Sequence, residues 1–253
     1  MPPQEREEPG LLKPVDAGRA AALLRHGEVE VVGRLPYASN STFLVRCCDD
    51  DGQVAAVYKP VSGERPLMDF PDGTLYRREV ATYVVDHALG WELVPLTVGR
   101  DDAPMGTGSL QLFVDHDPEQ HFFTLLADHI DRFRTMSMFD ILCNNADRKS
   151  GHCLLDGAGH VWGVDHGLTF NVAPKLRTVI WDFAGEPMPA REQADVGRFA
   201  QRLEEPGDPL RSELAPWLAE DEIEVLALRA SVLQQPGDFP HPDSSWSFPW
   251  PLV

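Results

Sequence analysis

The pattern of apolar residues changes at about residue 115, and this change constrains the fold more than any other feature of the chain. Before it, short apolar runs rich in Val alternate with Gly, Pro, Asp and Asn, which is typical of strands joined by turns. After it, apolar residues recur at helical spacing over longer stretches. We therefore predict an α+β protein with two lobes, a β-rich N-terminal lobe over residues 16–114 and a mainly helical C-terminal lobe over residues 115–253.

The N-terminal lobe is predicted to contain an antiparallel sheet. The sequence D-D-D-G at 49–52 is a strong hairpin signal, and it joins the second predicted strand to the third. Asp16 is a candidate helix N-cap, and Gly90 is a candidate helix terminator. The predicted strands are 29–34, 42–46, 54–59, 94–99 and 109–114, and the predicted helices are 16–25 and 75–88.

The C-terminal lobe is predicted to be helical apart from one hairpin. Its predicted helices are 118–128, 129–145, 192–203 and 221–234. The turn D-G-A-G joins two short predicted strands, 153–155 and 161–164. Residues 1–15 are polar and rich in proline, which predicts a flexible tail. A cleft between two such lobes is the expected place for a functional site.

The acidic composition limits the partners of this chain. Asp and Glu total 40 against 22 Lys and Arg, which gives a formal net charge of −18. Such a surface repels nucleic acid and anionic bilayers, so we predict no nucleic-acid partner and no stable membrane association. The sequence has no apolar signal segment, and its four cysteines form no C-x-x-C pair, which favours a cytoplasmic location with reduced thiols.

The polar residues most indicative of chemistry occur in two neighbouring stretches, N-N-A-D-R-K-S-G-H-C-L-L at 144–155 and V-W-G-V-D-H-G-L-T-F at 161–170. The hairpin brings the start of its first strand close to the end of its second, so His152 and Asp165 converge, with Asp147 facing them. Phosphoryl transfer requires such a group, because one carboxylate deprotonates the attacking hydroxyl and another holds a metal ion. Asp165 offers the hard oxygen ligand that Mg²⁺ prefers.

The N-terminal half supplies a cation and a partner for it. Lys59 ends an apolar predicted strand in V-Y-K-P, so its ammonium group is expected to reach the cleft. Glu79 follows 20 residues later on the predicted helix 75–88, where it can pair with Lys59 and hold it against phosphates.

Four motifs together resemble the phosphatidylinositol 3-/4-kinase-like branch of the protein-kinase-like superfamily, and in particular its small actinobacterial members. They are Y-K-P at 58–60, R-R-E-V-A at 77–81, N-A-D-R-x-x-x-H at 145–152 and V-D-H-G-L-T-F at 164–170. The resemblance covers roughly residues 28–185. It implies a bilobal protein-kinase-like fold and ATP-dependent transfer of the γ-phosphate to a hydroxyl group.

The resemblance also implies a role for each matching residue. Lys59 becomes the phosphate-binding lysine, Glu79 its helix partner and Asp147 the catalytic carboxylate. Asp165 becomes a metal ligand. The nucleotide would be covered by the turn Ser39, Asn40 and Ser41, and the hinge at 110–114 would offer backbone groups to adenine near Phe113 and Val114.

The sequence departs from the family pattern at His152, where the second metal ligand is usually Asn. Imidazole suits Mn²⁺ better than Mg²⁺, so either ion is a candidate cofactor. His152 also leaves open a nucleotide-binding pseudokinase with a regulatory role, or a metal-dependent hydrolase that uses His152, Asp165 and His166.

The acceptor is the least determined part of the prediction. Residues 175–187, which correspond to the activation segment, lack the long basic stretch expected for an inositol-lipid substrate. A small soluble alcohol or a protein hydroxyl is therefore favoured over a phosphoinositide.

Overall fold

The computed structural model describes residues 15–35 and 40–252 of the chain. Its N-terminal half contains a five-stranded antiparallel sheet and two helices, which confirms the predicted α+β class. The elements are α1 (Ala17–His26), β1 (Glu28–Arg34), β2 (Phe43–Asp49), β3 (Gly52–Pro60), α2 (Leu75–Leu89), β4 (Thr97–Arg100) and β5 (Gly108–Leu112). The sheet order is β1-β2-β3-β5-β4, and the first three strands form the predicted meander.

The C-terminal half is mainly helical and contains a small two-stranded sheet. Its elements are α3 (Phe122–Leu125), α4 (Ile130–Cys143), β6 (Cys153–Leu155), β7 (Val161–Gly163), α5 (Ala190–Glu204), α6 (Leu210–Leu214) and α7 (Glu220–Leu233). None of the helices in the described ranges has the length and apolarity needed to cross a membrane.

Strand β3 alternates between two environments, and this alternation orients the site. Val54, Ala56 and Tyr58 are buried and belong to the same apolar cluster as residues of α1. Successive side chains of a strand point to opposite faces, so Lys59 lies on the face of the sheet away from α1. The sheet therefore separates α1 from the cleft.

Helix α2 joins the two halves of the molecule. Ala81 and Val85 are fully buried and belong to the large apolar cluster of the C-terminal half, together with residues of α4 and α5. The helix ends at Gly90, whose left-handed backbone (φ 70°) allows its N–H to bond back to Asp86. Packing on the C-terminal half fixes the position of Glu79, which lies on the same helix.

Several predicted elements are shorter in the structure, and two of them have a clear physical reason. The predicted helix 118–128 is reduced to α3, because Asp117 accepts from the backbone of Glu119 and Gln120 in a turn and His121 is extended. The strand predicted at 94–99 begins only at Thr97, after Pro95, which has no N–H to donate to a ladder. Helix α6 was not predicted. The tail predicted for residues 1–15 lies almost entirely outside the described residues.

Candidate active site

Lys59 forms the centre of an ion-pair network at the base of the cleft. Its Nζ contacts the carboxylate of Glu79 and lies 2.8 Å from Oδ1 of Asp165. Burial opposes the charge of Lys59, but the carboxylates of Asp165 and Glu79 raise its pKa above the usual range. The structure thus brings together three residues that are 20 and 106 positions apart in the chain.

Glu79 is held from two sides. Its side chain is 3% exposed, and its Oε2 accepts a hydrogen bond from the backbone N–H of His166 at 3.0 Å. One oxygen therefore binds the lysine of β3 while the other binds the segment that follows β7. Because a buried carboxylate without partners is costly, this pairing fixes α2 against both.

Asp165 carries the most exposed carboxylate of the network, with 52% of its side chain accessible. Its backbone adopts a left-handed conformation (φ 61°), which turns the chain sharply after β7. Lys59 holds the pKa of Asp165 well below its usual range. The carboxylate is consequently ionised over the whole physiological range.

Asp147 lies in the loop that follows α4, and it lines the same cavity of about 370 Å³ as Lys59 and Asp165. Its backbone N–H donates to Oδ1 of Asn145 at 3.0 Å, and its Oδ2 lies 2.9 Å from Nζ of Lys149. Burial raises the pKa of Asp147, and Lys149 opposes that rise. A carboxylate with raised pKa is a better proton acceptor than an ordinary one.

A fully buried ion pair anchors the loop around Asp147. The guanidinium of Arg148 binds the carboxylate of Asp140 in α4 at 2.9 Å, and both side chains are almost completely excluded from solvent. Arg148 also donates to the carbonyl of Val164 at 3.0 Å and to Nε2 of His166 at 2.6 Å. The arginine therefore ties this loop to the strand that leads to Asp165.

His152 lies beside Asp165, with 3.3 Å between its Nε2 and Oδ2 of the carboxylate. Its Nδ1 accepts from the backbone N–H of Lys149 at 3.3 Å, so the proton of the neutral ring is on Nε2. Burial lowers the pKa of His152 to about 4, although Asp165 opposes the shift. The ring is neutral at physiological pH and presents an N–H, rather than a lone pair, to Asp165.

The donor set at this position fits a Mg²⁺ ion held mainly by one carboxylate. Within residues 15–35 and 40–252, no three His, Cys, Asp or Glu side chains converge as a metal cluster. Mg²⁺ is commonly bound by one or two carboxylates together with substrate phosphates and water. Asp165 can serve as that carboxylate, whereas His152 would have to exchange its proton between ring nitrogens before it could contribute.

His166 does not join His152 and Asp165 in a common metal site, as the hydrolase alternative requires. Its ring is 1% exposed, and its Nε2 accepts from Arg148 at 2.6 Å. Burial keeps the pKa of His166 well below the usual range. The ring therefore helps to fix Arg148 and the loop around Asp147.

Asn40 and Ser41 line the cleft cavity with Lys59, whereas Ser39 lies outside the described residues. The backbone N–H of Ser41 donates to the carbonyl of Gly63 at 3.1 Å, and a Cβ on Gly63 would lie 2.7 Å from the Ser41 side chain. Glycine is therefore required at position 63. The predicted role of this turn in covering the phosphates stays a prediction, and the Ser41 amide, which is already bonded, is not available for it.

Phe113 and Val114 do not line the cavity that contains Lys59. They border a separate cavity of about 670 Å³, which α1 and the C-terminal part of α2 also line. The N–H of Phe113 donates to the carbonyl of Ala55 at 3.0 Å, and the carbonyl of Val114 lies 2.8 Å from Nδ1 of His116. The predicted contact of this segment with adenine stays a prediction, and the N–H of Phe113 is not available for it.

Three further residues of the cleft were missed in the sequence. Lys149, Arg177 and Trp250 all line the same cavity as Asp147. Trp250 is 88% exposed, and the C-terminal segment that carries it is held by a hydrogen bond from the N–H of Ser150 to the carbonyl of Leu252 at 2.8 Å. The D-R-K order at 147–149 could have indicated Lys149, but nothing in the sequence indicates that the distant C-terminus reaches this loop.

Comparison with known proteins agrees with the geometry. The family model for phosphatidylinositol 3- and 4-kinases matches residues 78–201, which include Glu79, Asp147 and Asp165. Protein Rv2133c of Mycobacterium tuberculosis is 42% identical to this chain in an alignment that covers 91% of this chain and 94% of that protein.

Two solved structures share the fold at low sequence identity. The Golgi casein kinase with Mn/ADP bound has a TM-score of 0.54 and 14% identity, over 86% of this chain and 74% of that chain. The Helicobacter pylori proinflammatory kinase CtkA has a TM-score of 0.52 and 12% identity, over 83% of this chain and 93% of that chain. Both support the bilobal protein-kinase-like fold, and together with the family match they lead to one conclusion: the chain belongs to the phosphatidylinositol 3-/4-kinase-like family, alongside its actinobacterial relative.

Proposed function

We propose that this protein is an ATP-dependent phosphotransferase that transfers the γ-phosphate to a hydroxyl acceptor. The observation that carries the proposal is the network of Lys59, Glu79 and Asp165 at the base of a cleft that also contains Asp147. A paired lysine and an ionised carboxylate are the groups needed to bind phosphates together with a divalent cation.

Each residue of the network has a distinct task in the proposed reaction. The acceptor oxygen attacks the γ-phosphorus, the bond from that phosphorus to the bridging oxygen breaks, and ADP leaves. Asp147 accepts the proton of the acceptor hydroxyl, for which its raised pKa is suited. Lys59 neutralises charge on the phosphates, and Glu79 fixes the position of Lys59.

Asp165 would hold the divalent cation, which screens the phosphate charge when it is bound. Its oxygens now contact Lys59 and approach His152, and half of its side chain is open to the cleft. The Golgi casein kinase, which shares the fold, has been solved with Mn/ADP bound, and this supports Mn²⁺ beside Mg²⁺ as a candidate.

Incubation with γ-labelled ATP and Mg²⁺ or Mn²⁺ tests this proposal. We expect the wild type to release or transfer the label, and we expect Asp147→Ala to do neither. Asp182→Asn is a matched control, because Asp182 is an exposed aspartate outside the cleft. Equal turnover in the wild type and Asp147→Ala would refute the role of Asp147.

A regulatory pseudokinase is the second candidate, and one observation favours it. The ring of His152 presents an N–H towards Asp165, so the usual second ligand position offers no free lone pair. A pseudokinase would bind a non-hydrolysable ATP analogue but would neither release nor transfer the label. The two candidate functions therefore predict different turnover of ATP but the same binding of the ATP analogue.

We propose a soluble hydroxyl compound or a protein hydroxyl as the acceptor. Arg177 and Trp250 border the cleft beside Asp147, and they offer a cation and an aromatic ring for recognition. The net charge of −18 argues against docking on an anionic membrane. Co-sedimentation with phosphatidylinositol vesicles at low salt tests this preference, and strong binding to the vesicles would overturn it.

A further inference from the structure

The cavity between α1, the C-terminal part of α2 and residues 112–115, which we call the rear cavity, is larger than the cleft cavity. It has a volume of about 670 Å³, within the range of roughly 300–1,000 Å³ that is typical of small-molecule sites. Its walls come from α1, the C-terminal part of α2, residues 112–115 and the turn between β6 and β7. Both halves of the molecule therefore contribute to it.

The rear cavity is acidic. Its lining includes the four carboxylates of Asp86, Glu92, Asp115 and Asp156, and no described residue that lines it is Lys or Arg. The carboxylate of Asp156 is fully engaged, since it accepts from Trp162 Nε1 and from the backbone of the β6–β7 turn at 2.9 Å. The remaining carboxylates make the lining negative, although Arg132, which lies outside the lining, attracts Asp86 and Glu92.

Asp86 provides an independent indication of a ligand. It is 2% exposed, and its Oδ2 accepts from the backbone N–H of Val94 at 2.9 Å, but its Oδ1 has no hydrogen-bond partner among the described residues. A buried carboxylate oxygen without a partner costs about 1–3 kcal/mol or more. A donor that enters the rear cavity would satisfy this oxygen.

The walls of the rear cavity favour an organic cation over a bare metal ion. Tyr83, Phe113 and Trp162 line it with aromatic rings, and the ring of Tyr83 stacks on His87 at 5.7 Å. Aromatic faces attract ammonium and guanidinium groups and also pack against an apolar body. A hard metal ion would instead require several oxygen ligands with lone pairs free.

We propose that the rear cavity binds a small organic cation, an amine or amidine on an apolar or aromatic body, with Asp86 as its counter-ion. This site is separate from the proposed nucleotide cleft, because the two cavities have no lining residue in common. Helix α2 carries both Asp86 and Glu79, seven residues apart, so one rigid element connects the two sites.

The proposal is tested by calorimetry on the full chain without nucleotide, using benzamidine, phenethylamine and agmatine as probes and benzamide as a neutral analogue of benzamidine. We expect at least one cationic probe to bind, and benzamidine to bind about tenfold tighter than benzamide, equivalent to 1.4 kcal/mol. Binding of all three cations weaker than about 1 mM, or equal affinity for benzamidine and benzamide, would overturn the proposal.

Three variants locate the binding. Asp86→Asn should weaken cation binding about fivefold or more and leave benzamide unaffected, since only the charge is removed. Ala158 lies on the exposed turn that lines the cavity. Ala158→Arg should also weaken cation binding, because it adds a positive charge, whereas the uncharged Ala158→Gln should not. Because Ala158→Arg leaves Asp86 intact, the test stands even where Asp86→Asn folds poorly. Asp182→Asn, at an exposed aspartate that lines neither cavity, should leave the affinity unchanged. Unchanged binding in both Asp86→Asn and Ala158→Arg contradicts the site.

Discussion

The cleft and the rear cavity are two concave regions of one acidic protein, and their charges are arranged in opposite ways. The cleft is lined by four Lys or Arg side chains and four carboxylates, so its charges are balanced among the described residues. The rear cavity has four carboxylates and, within the described residues, no Lys or Arg. The cleft is suited to a polyanion with its metal ion, and the rear cavity to a cation.

Asp165 and Asp86 illustrate this difference in charge between the two cavities. Asp165 in the cleft lies 2.8 Å from the ammonium group of Lys59, which holds its pKa well below the usual range. Asp86 in the rear cavity is buried, and burial raises its pKa to about 6, although the backbone N–H of Val94 opposes the shift. The available partner, rather than the residue type, therefore decides what a carboxylate can bind.

The largest effect on phosphotransfer is expected when the ammonium group of Lys59 is removed from the cleft. Lys59→Met leaves Glu79 buried without its ammonium partner and removes charge stabilisation from the phosphates. We expect phosphotransfer to fall at least about 100-fold, since loss of one charge-stabilising group commonly costs this much. Initial rates with γ-labelled ATP provide the measurement, and retention of more than about a tenth of the wild-type rate would contradict the role of Lys59.

The next experiment removes a negative charge from the rear cavity. The folded pKa of Asp86 is raised above its unfolded value, so its ionisation disfavours folding as pH rises through about 6. Asp86→Asn should therefore stabilise the protein at pH 8 by about 2 kcal/mol, and it should give progressively less advantage as pH falls from 6 towards 4. Denaturant unfolding at pH 8 and pH 5 measures this, and a variant less stable than the wild type at pH 8 would contradict it.

A smaller effect is expected at the edge of the cleft. Trp250 is exposed and lines the cavity near Asp147, so it can contact the acceptor without contacting the reacting atoms. We expect Trp250→Ala to raise KM for the acceptor several-fold, consistent with loss of about 1 kcal/mol of contact, and to leave KM for ATP unchanged. Trp246→Ala is the control, because Trp246 is a similarly exposed ring that does not line the cleft cavity. An equal effect of both substitutions would contradict a specific role for Trp250.

The smallest effect concerns His152. A metal-binding imidazole with an ordinary pKa of about 6.5 would lose its metal to proton competition as pH falls through that value. Burial instead lowers the pKa of His152 to about 4, so the ring is neutral throughout the interval from pH 6 to pH 7. We expect the Mg²⁺- and Mn²⁺-dependent affinity for ATP to change less than about twofold across this interval. A tenfold loss at pH 6 that His152→Asn abolishes would contradict this expectation.

Short-range and motif-based features were predictable from the sequence. The hairpin signal D-D-D-G and the period of two in β3 lead directly to the meander and to the orientation of Lys59. The spacing of Asp147, His152 and Asp165 around one short hairpin is enough to bring them together. The four motifs predicted the family, which the comparisons confirm, whereas the catalytic roles stay predictions.

Features that depend on packing between distant segments were not predictable. The C-terminal segment reaches the loop of Asp147 through the backbone of Leu252 and Ser150, which are 102 residues apart, and backbone groups leave no trace in side-chain patterns. The rear cavity exists only because α1, α2 and the β6–β7 turn meet without filling the space between them. The unpartnered Oδ1 of Asp86 follows from this packing.

We expect the nucleotide to bind in the cleft beside Lys59. An adenosine analogue with a reactive sulfonyl fluoride at its 5′ position tests this directly, because it labels a lysine close to where the phosphates lie. Peptide mass spectrometry should find the label on Lys59 or on Lys149, the second lysine of the cleft, and prior addition of ATP with Mg²⁺ should prevent it. Label on neither lysine, or labelling of the cleft that ATP does not reduce, would contradict binding of the nucleotide beside Lys59.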